Sequence, residues 1–364
     1  MWRKVRLGDI AELYQPKTIT KSEMTEDGLY PVYGANGIIG RYHDFNHDDE
    51  QLVIGCRGSC GEVNVTNGKC WITGNAMVIK PNNDVLLAYL KYYLLQREVT
   101  NSIITGTAQP QITRKSLAPV ELFVPPLGEQ QRIVAKLDAA FSEIDRAIEV
   151  AESKHTEVEK LKAALLSSLL RGEDWETVKL GEICSLRNGK AYKKSELLSE
   201  GKYPVLRVGN FFTNNHWYYS DLELDETKYC DTGDLLYAWS ASFGPRLWES
   251  GKVIYHYHIW RVDVDTETVD KKFLFYWFEY DKELIKAASG TGTTMVHVSK
   301  GSMEKRSLHL PPLAEQQRIV AKLDAAFAEI DRANSSVLET KVHYQALKSA
   351  ILAQELQPPQ SAAA

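Results

Sequence analysis

One 23-residue segment occurs twice in this chain, and no other feature constrains the fold as strongly. Residues 125–147 read PPLGEQQRIVAKLDAAFSEIDRA and residues 311–333 read PPLAEQQRIVAKLDAAFAEIDRA. The copies lie 186 positions apart and differ only at Gly128/Ala314 and Ser142/Ala328. A fainter repeat precedes each copy. Trp2-x-x-Val5-x-Leu7-Gly8-Asp9-Ile10 aligns with Trp175-x-x-Val178-x-Leu180-Gly181-Glu182-Ile183 at an offset of 173, and Tyr30-Pro31-Val32 aligns with Tyr203-Pro204-Val205 at the same offset. Self-similarity at a fixed period marks a repeated structural unit. The chain therefore reads as domain, helix, domain, helix, with boundaries at 1–124, 125–172, 173–310 and 311–357 and a flexible tail at 358–364.

Each copy opens on Pro-Pro, which suits a helix entry. Apolar or long side chains then recur at spacings of four and three: Leu137, Phe141, Ile144, Ile148, Ala151, His155, Val158, Lys162, Leu165 and Leu169 in the first copy. Leu323, Phe327, Ile330, Asn334, Val337, Lys341, Tyr344, Lys348 and Ile351 follow in the second. A sustained heptad predicts a coiled coil, and the natural partner of each helix is the other. Antiparallel pairing about a pseudo-two-fold axis is expected. The polar interruptions His155, Asn334 and Lys341 are seam positions of the kind that set register. A helix of about 45 residues runs about 65 Å, close to two turns of B-DNA.

The intervening regions read as strands and turns followed by a helix, which makes the fold class α+β, with two mixed α/β domains alternating with the two long helices. Strands are expected around Gln51–Ile54, Ala76–Lys80, Asp234–Trp239 and Ile259–Val262. Helices are expected around Val85–Gln96 and Lys272–Glu283. Amide, basic and aromatic residues collect in the turns. Arg, Asn and Gln pair bidentately with base edges, while Lys serves phosphates. On that chemistry the candidate DNA-binding residues are Asn36, Arg41, Arg57, Gln109, Gln111, Arg114 and Lys115 in the first domain. In the second they are Tyr192, Lys193, Lys194, Asn210, Arg246 and Lys300. Trp217 and Trp239 read as core residues.

Composition argues the other way. Net charge is −5, residues 1–124 carry 13 basic and 13 acidic side chains, and no segment is basic overall. A DNA-binding face must then be a local patch rather than a property of the chain. Motifs for catalysis are missing. The Pro-Pro pairs at 125, 311 and 358 are followed by Leu, Leu and Gln, so there is no adenine-methyltransferase active-site motif. There is no Walker A lysine loop, and Gly290-Thr-Gly292 is a lone Gly-x-Gly. Cys56, Cys60 and Cys70 lack the paired spacing of a zinc site, and only His43 or His47 could complete one. His256-x-His258 on a strand would share a face but has no third ligand nearby. No metal is expected. Five cysteines and the lack of a secretory leader or an 18-residue apolar run suit a cytoplasmic protein.

Pro-Pro-Leu-x-Glu-Gln-Gln-Arg-Ile-Val-Ala-Lys-Leu-Asp, present at 125–138 and 311–324, resembles the signature of the specificity subunit of Type I restriction–modification systems. Trp-x-x-Val-x-Leu-Gly-[Asp/Glu]-Ile at 2–10 and 175–183 and Gly106-Thr-Ala-Gln-Pro-Gln-Ile-Thr113 are further matches, and the resemblance spans essentially the whole chain. The segment Gly290–Ser299 keeps only its outline. The resemblance implies a non-catalytic subunit whose two recognition domains each read half of a split, asymmetric double-stranded DNA target. It implies that the long helices set the unread spacer and dock two adenine methyltransferase subunits, with two motor–nuclease subunits joining for cleavage. S-adenosylmethionine, ATP and magnesium would then belong to those partners. The polar runs Glu129, Gln130, Gln131, Arg132 and Glu315, Gln316, Gln317, Arg318 are the candidate partner-facing residues. Rival readings are the same architecture in a Type II-like system and a coiled-coil interaction protein that binds no DNA. The acidic net charge favours the last, and the duplicated motif opposes it.

Overall fold

A computed structural model describes residues 1–106, 109–172, 174–212, 214–241, 243–288 and 296–359. Gly290–Gly292 and residues 360–364, most of the expected tail, lie outside the described residues. The protein is α+β and divides into two compact units, Met1–Glu152 with Leu338–Ala364, and Ser153–Val337. The long helices Leu127–Leu169 and Leu313–Glu355 each contribute to both units.

In the first unit a four-stranded antiparallel sheet runs in the order Ala11–Tyr14, Ala76–Pro81, Leu52–Gly55, Val63–Val65. A second sheet orders Gly37–Tyr42, Tyr30–Gly34 and Trp71–Ile72, the last pair parallel. The second unit repeats this plan. Its first sheet runs Cys184–Asn188, Ile259–Val264, Leu235–Ala238, Gly244–Leu247. Its second runs Tyr218–Ser220, Tyr203–Leu206, Val253–Tyr255, Tyr229–Cys230, with the parallel pair at the matching place. Tyr30-Pro31-Val32 and Tyr203-Pro204-Val205 thus occupy corresponding strands, and the faint repeat is one fold built twice. The helices expected near 85–96 and 272–283 run Leu87–Leu94 and Lys271–Ala288.

The domain-start motif closes each globular domain. Arg3–Arg6 pairs antiparallel with Glu121–Val124, and Glu176–Lys179 with Ser307–Leu310. Entry and exit of each domain are therefore adjacent, and the long helix leaves from the strand that seals the fold. Glycine follows because the backbones press together: a Cβ at Gly8 would sit 3.0 Å from that of Ala118, and one at Gly181 3.2 Å from that of Glu304.

The long helices are held by apolar burial. In the first unit Ile133, Leu137 and Phe141 join Leu352 and Leu356 in one core with Tyr89, Leu90 and Leu94. In the second, Ile319 and Leu323 join Leu166 and Leu170 with Phe273, Leu274 and Phe278. Each such side chain contributes roughly 1.5–3 kcal/mol. Within both units the helix segments run antiparallel: Asp145 pairs with Lys348 and Glu152 with Lys341 in the first, and Asp331 with Lys162 in the second. Ion pairs this exposed contribute about 0–1 kcal/mol, so they set register while the leucines supply the stability. His155 Nδ1 lies 2.7 Å from Asn334 Oδ1, so two of the expected polar seam residues meet each other. At the helix ends the seam departs from the heptad reading. Leu166 and Leu352 are buried, while Leu165 and Ile351 are only partly so. An α-helix drifts about 20° per heptad, and the last turns here pack on a globular domain rather than on a helix alone.

Candidate nucleic-acid interface

In the first unit the structure brings six of the seven candidates to one rim. Arg57 bridges to Gln111, and Gln111 bridges back to Thr105. The Ile112 amide donates to the Cys56 carbonyl (3.0 Å), and the Cys60 thiol donates to the Pro110 carbonyl (3.0 Å). The loop after Leu52–Gly55 is thereby sewn to the segment carrying Gln109 and Gln111. Arg114 and Lys115 come next, in a short helix capped by Thr113, whose hydroxyl accepts from the Ser116 amide (3.1 Å). The turn bearing Asn36 touches the same loop, since a Cβ on Gly55 would lie 2.4 Å from the Ala35 carbonyl oxygen. Asn36, Arg57, Gln109, Gln111, Arg114 and Lys115 are all exposed.

Arg41 is the exception. Its guanidinium donates to the carbonyls of Gly28 (2.6 Å) and Leu29 (2.7 Å), so it holds a turn of its own domain. Two candidates in the second unit are engaged in the same way. Arg246 donates to the Phe211 carbonyl, and the Asn210 amide donates to the carbonyls of Asn214 (3.0 Å) and His216 (2.7 Å). These three side chains are structural: the donors expected to reach base edges already serve backbone carbonyls. Tyr192 is half-buried and its hydroxyl is enclosed without a partner; burial pushes that phenol well above its ordinary pKa. Lys193 and Lys194 are exposed beside it, and neither forms a salt bridge among the described residues. Lys300 opens a helical turn and lies 3.6 Å from Glu304.

Residues 256–258, expected to continue a strand, form a bridge and a turn before Ile259–Val264 begins. The His256 and His258 rings still lie 4.9 Å apart. Burial, then the neighbouring His258 and Arg207, lower the His256 pKa to about 4. The cysteines and histidines weighed for zinc do not gather into one cluster, although His47 pairs with Cys70 through the backbone and Cys60 lies against Cys56. Cys56 and Cys70 belong to different clusters of the core. His43 lies 3.2 Å from the Thr25 hydroxyl, and His47 lies 2.8 Å from that of Tyr14. Among the described residues no group of three His, Cys, Asp or Glu could hold a metal ion.

The duplicated helix motif turns one face inward. Gln130 and Gln316 are fully buried, which corrects their assignment to a partner-facing surface. The Gln130 carbonyl accepts from the Leu86 amide (2.9 Å), and its NH2 donates to the carbonyls of Asp84 (2.9 Å) and Pro125 (2.8 Å). Gln316 repeats this with the Asp270 amide (2.8 Å) and the carbonyls of Thr268 (2.9 Å) and Pro311 (2.8 Å). Asp138 accepts from the Tyr92 hydroxyl and Asp324 from that of Tyr276, both at 2.5 Å. Each Tyr meets the motif phenylalanine edge-on, Phe141 at 5.3 Å and Phe327 at 5.5 Å. The two copies are thus the same lock between a helix and the globular domain before it. Gln131, Arg132, Gln317 and Arg318 face outward, and each Arg forms a two-pronged ion pair with the Glu three residues earlier, Glu129 or Glu315.

A family model described as the type I restriction modification DNA specificity domain matches residues 1–159 and again 172–340. The chain belongs to this family. A Haemophilus influenzae protein named as a type I restriction enzyme specificity subunit is 25% identical over 325 residues, 84% of this chain and 82% of that one. A type I restriction enzyme specificity subunit of Methanocaldococcus jannaschii is 25% identical over 398 residues, 93% and 89% of the two chains. A solved structure from work on assembly and conformational transition of the type I restriction–modification system superposes with a TM-score of 0.72 at 20% identity, covering 98% of this chain and 97% of that one. At that identity the likeness speaks for the fold. The function of the specificity subunit is DNA target recognition, and its relatives are named for specificity rather than for catalysis. Among the described residues no helix is long and apolar enough to cross a membrane.

Proposed function

We propose that residues 1–124 and 173–310 are separate target-recognition domains, each reading one half of a bipartite, asymmetric target in double-stranded DNA. The long helices at 125–172 and 311–357 would hold the two readers and leave an unread spacer between the half-sites. The observation that carries this reading is the duplicated lock. Gln130, Asp138 and Phe141 engage one globular domain as Gln316, Asp324 and Phe327 engage the other, while the rims of the two domains differ. Two divergent readers on near-identical mounts let one half of a target change without disturbing the rest.

In the first domain the reading residues are Asn36, Arg57, Gln109 and Gln111, with Arg114 and Lys115 on phosphates. In the second, Lys193, Lys194 and Lys300 serve phosphates. Two adenine methyltransferase subunits and two motor–nuclease subunits bind the subunit in a cytoplasmic complex, and S-adenosylmethionine, ATP and magnesium act on those partners. The outward faces at Glu129, Gln131, Arg132 and Glu315, Gln317, Arg318 are the proposed docking surfaces, and the chain itself catalyses nothing. The test is single-molecule sequencing of adenine methylation in DNA exposed to this chain and its methyltransferase. Methylation confined to one motif with two fixed halves and a fixed gap is expected. Exchanging residues 1–124 for another such domain changes one half only. Methylation that persists unchanged without this chain overturns the reading.

A further inference from the structure

The duplicated fold shows where the second domain has acquired something the first lacks. The turn before Ala76–Pro81 and the turn before Ile259–Val264 are the same turn. Gln15 and Asn188, 173 positions apart, donate their side-chain amides to the carbonyls of Gly74 and Tyr257 respectively, each at 3.0 Å. The next residue accepts from the rim loop in both: Asn75 from the Cys56 amide (2.8 Å) and His258 from the Trp239 amide (3.1 Å). In the first domain the tip is glycine, and no side chain fits, because a Cβ there would meet the Thr18 hydroxyl at 2.5 Å. In the second domain the tip is Tyr257, a large aromatic left 45% exposed.

This tyrosine is held in place before any ligand arrives. Its amide donates to the Lys190 carbonyl (3.0 Å), and its own carbonyl accepts from both Asn188 and the Trp239 indole (3.0 Å). Its ring meets Trp239 edge-on at 5.5 Å. The strand-like bridge from Lys190 to His256 ties this turn to the segment that carries the exposed Lys193 and Lys194 a few residues further on. A rigid aromatic offers large contact area at little entropic cost, and basic side chains beside aromatics are the means by which proteins grip a phosphate backbone while touching bases.

We propose that Tyr257 is a specificity-determining residue, packing its ring on a base pair of the second half-site in a contact that has no counterpart in the first. The inference rests on the rim being the DNA-facing surface. The experiment compares Tyr257→Ala, Tyr257→Phe and the double change Lys193→Glu/Lys194→Glu in the full chain assembled with its methyltransferase. Motif sequencing and DNA affinity are read together, and subunit assembly and melting temperature are followed as controls. Tyr257→Ala is expected to lower methylation of the target by ~10-fold, the size of one good base contact. It should also relax one or two positions of the second half-site, with the first half-site unchanged and Tyr257→Phe close to the parent. The charge reversal should weaken all DNA binding uniformly. If the charge reversal acts but Tyr257→Ala leaves motif and rate intact, the Tyr257 contact is wrong and the rim stands. If neither change affects DNA, the rim reading fails with it. If Tyr257→Ala blocks assembly with the methyltransferase instead, the ring serves a protein partner and the inference is overturned.

Discussion

Replacing Gln130 by Ala should destabilise the first unit by about 3 kcal/mol. The side chain is 0% exposed and makes three hydrogen bonds between 2.8 and 2.9 Å, all to backbone groups. Each such bond contributes about 1 kcal/mol net, and a buried partner left unmade costs about 1–3 kcal/mol. The Pro125 carbonyl belongs to a buried residue, so water would not easily replace the lost donor. For a unit of this size about 3 kcal/mol corresponds to a drop in melting temperature of roughly 6–12 °C. Urea unfolding of the free subunit measures it as a shift in midpoint at constant slope. Gln316→Ala should cost the same, because it makes the same three bonds in the other unit, and the two effects should add. Gln131→Ala, one residue along and exposed, should fall within about 0.5 kcal/mol of the parent. A Gln130→Ala cost below about 1 kcal/mol, or one no larger than that of Gln131→Ala, would refute the lock and return Gln130 to the surface reading.

Two further outcomes are expected. Asp281 is 2% exposed and pairs with Arg306, yet Asp281 Oδ2 and Arg306 Nε are buried without partners. Asp281→Leu should therefore cost about 3–5 kcal/mol by stranding the guanidinium, while the double change Asp281→Leu/Arg306→Met should cost markedly less; denaturant titration of single and double variants decides it. His256 titrates near 4 in the folded protein against 6.5 unfolded. A depressed histidine pKa means that the unfolded chain takes up the proton first, so stability is whole above pH 6.5 and falls as the pH drops from there toward 4. Unfolding midpoints at pH 7 and pH 5 should differ less in His256→Phe than in the parent.

Much of the architecture could be read from spacing. The 23-residue repeat specified two equal helices, and they run Leu127–Leu169 and Leu313–Glu355. The offset-173 matches specified two related domains, and their sheets follow one strand order, with a fourth strand, Tyr229–Cys230, added to the second sheet of the second unit. Such features are legible because helix and strand periods of 3.6 and 2 and turn residues act over a few positions of sequence. The site was legible only in part. A basic or amide residue in a turn has the right chemistry for DNA whether its donors face solvent or a carbonyl nearby. Arg57, Gln111 and Arg114 met on one rim, but Arg41, Asn210 and Arg246 were taken up by their own backbones.

What the tertiary structure alone decided is which face of a repeated motif turns inward and what stands at the tip of a repeated turn. Gln130 and Gln131 are the same residue at adjacent positions. One is buried because Asp84 and Leu86 lie against it across some 44–46 positions of chain, and the other is left in solvent. Gly74 and Tyr257 occupy one place in the fold, yet no local pattern marks either as exposed. That is settled by Thr18 crowding the first and by Asn188, Trp239 and Lys190 propping the second. Periodicity is a property of neighbours along the chain, whereas a buried hydrogen bond or a presented ring depends on groups that only folding brings together.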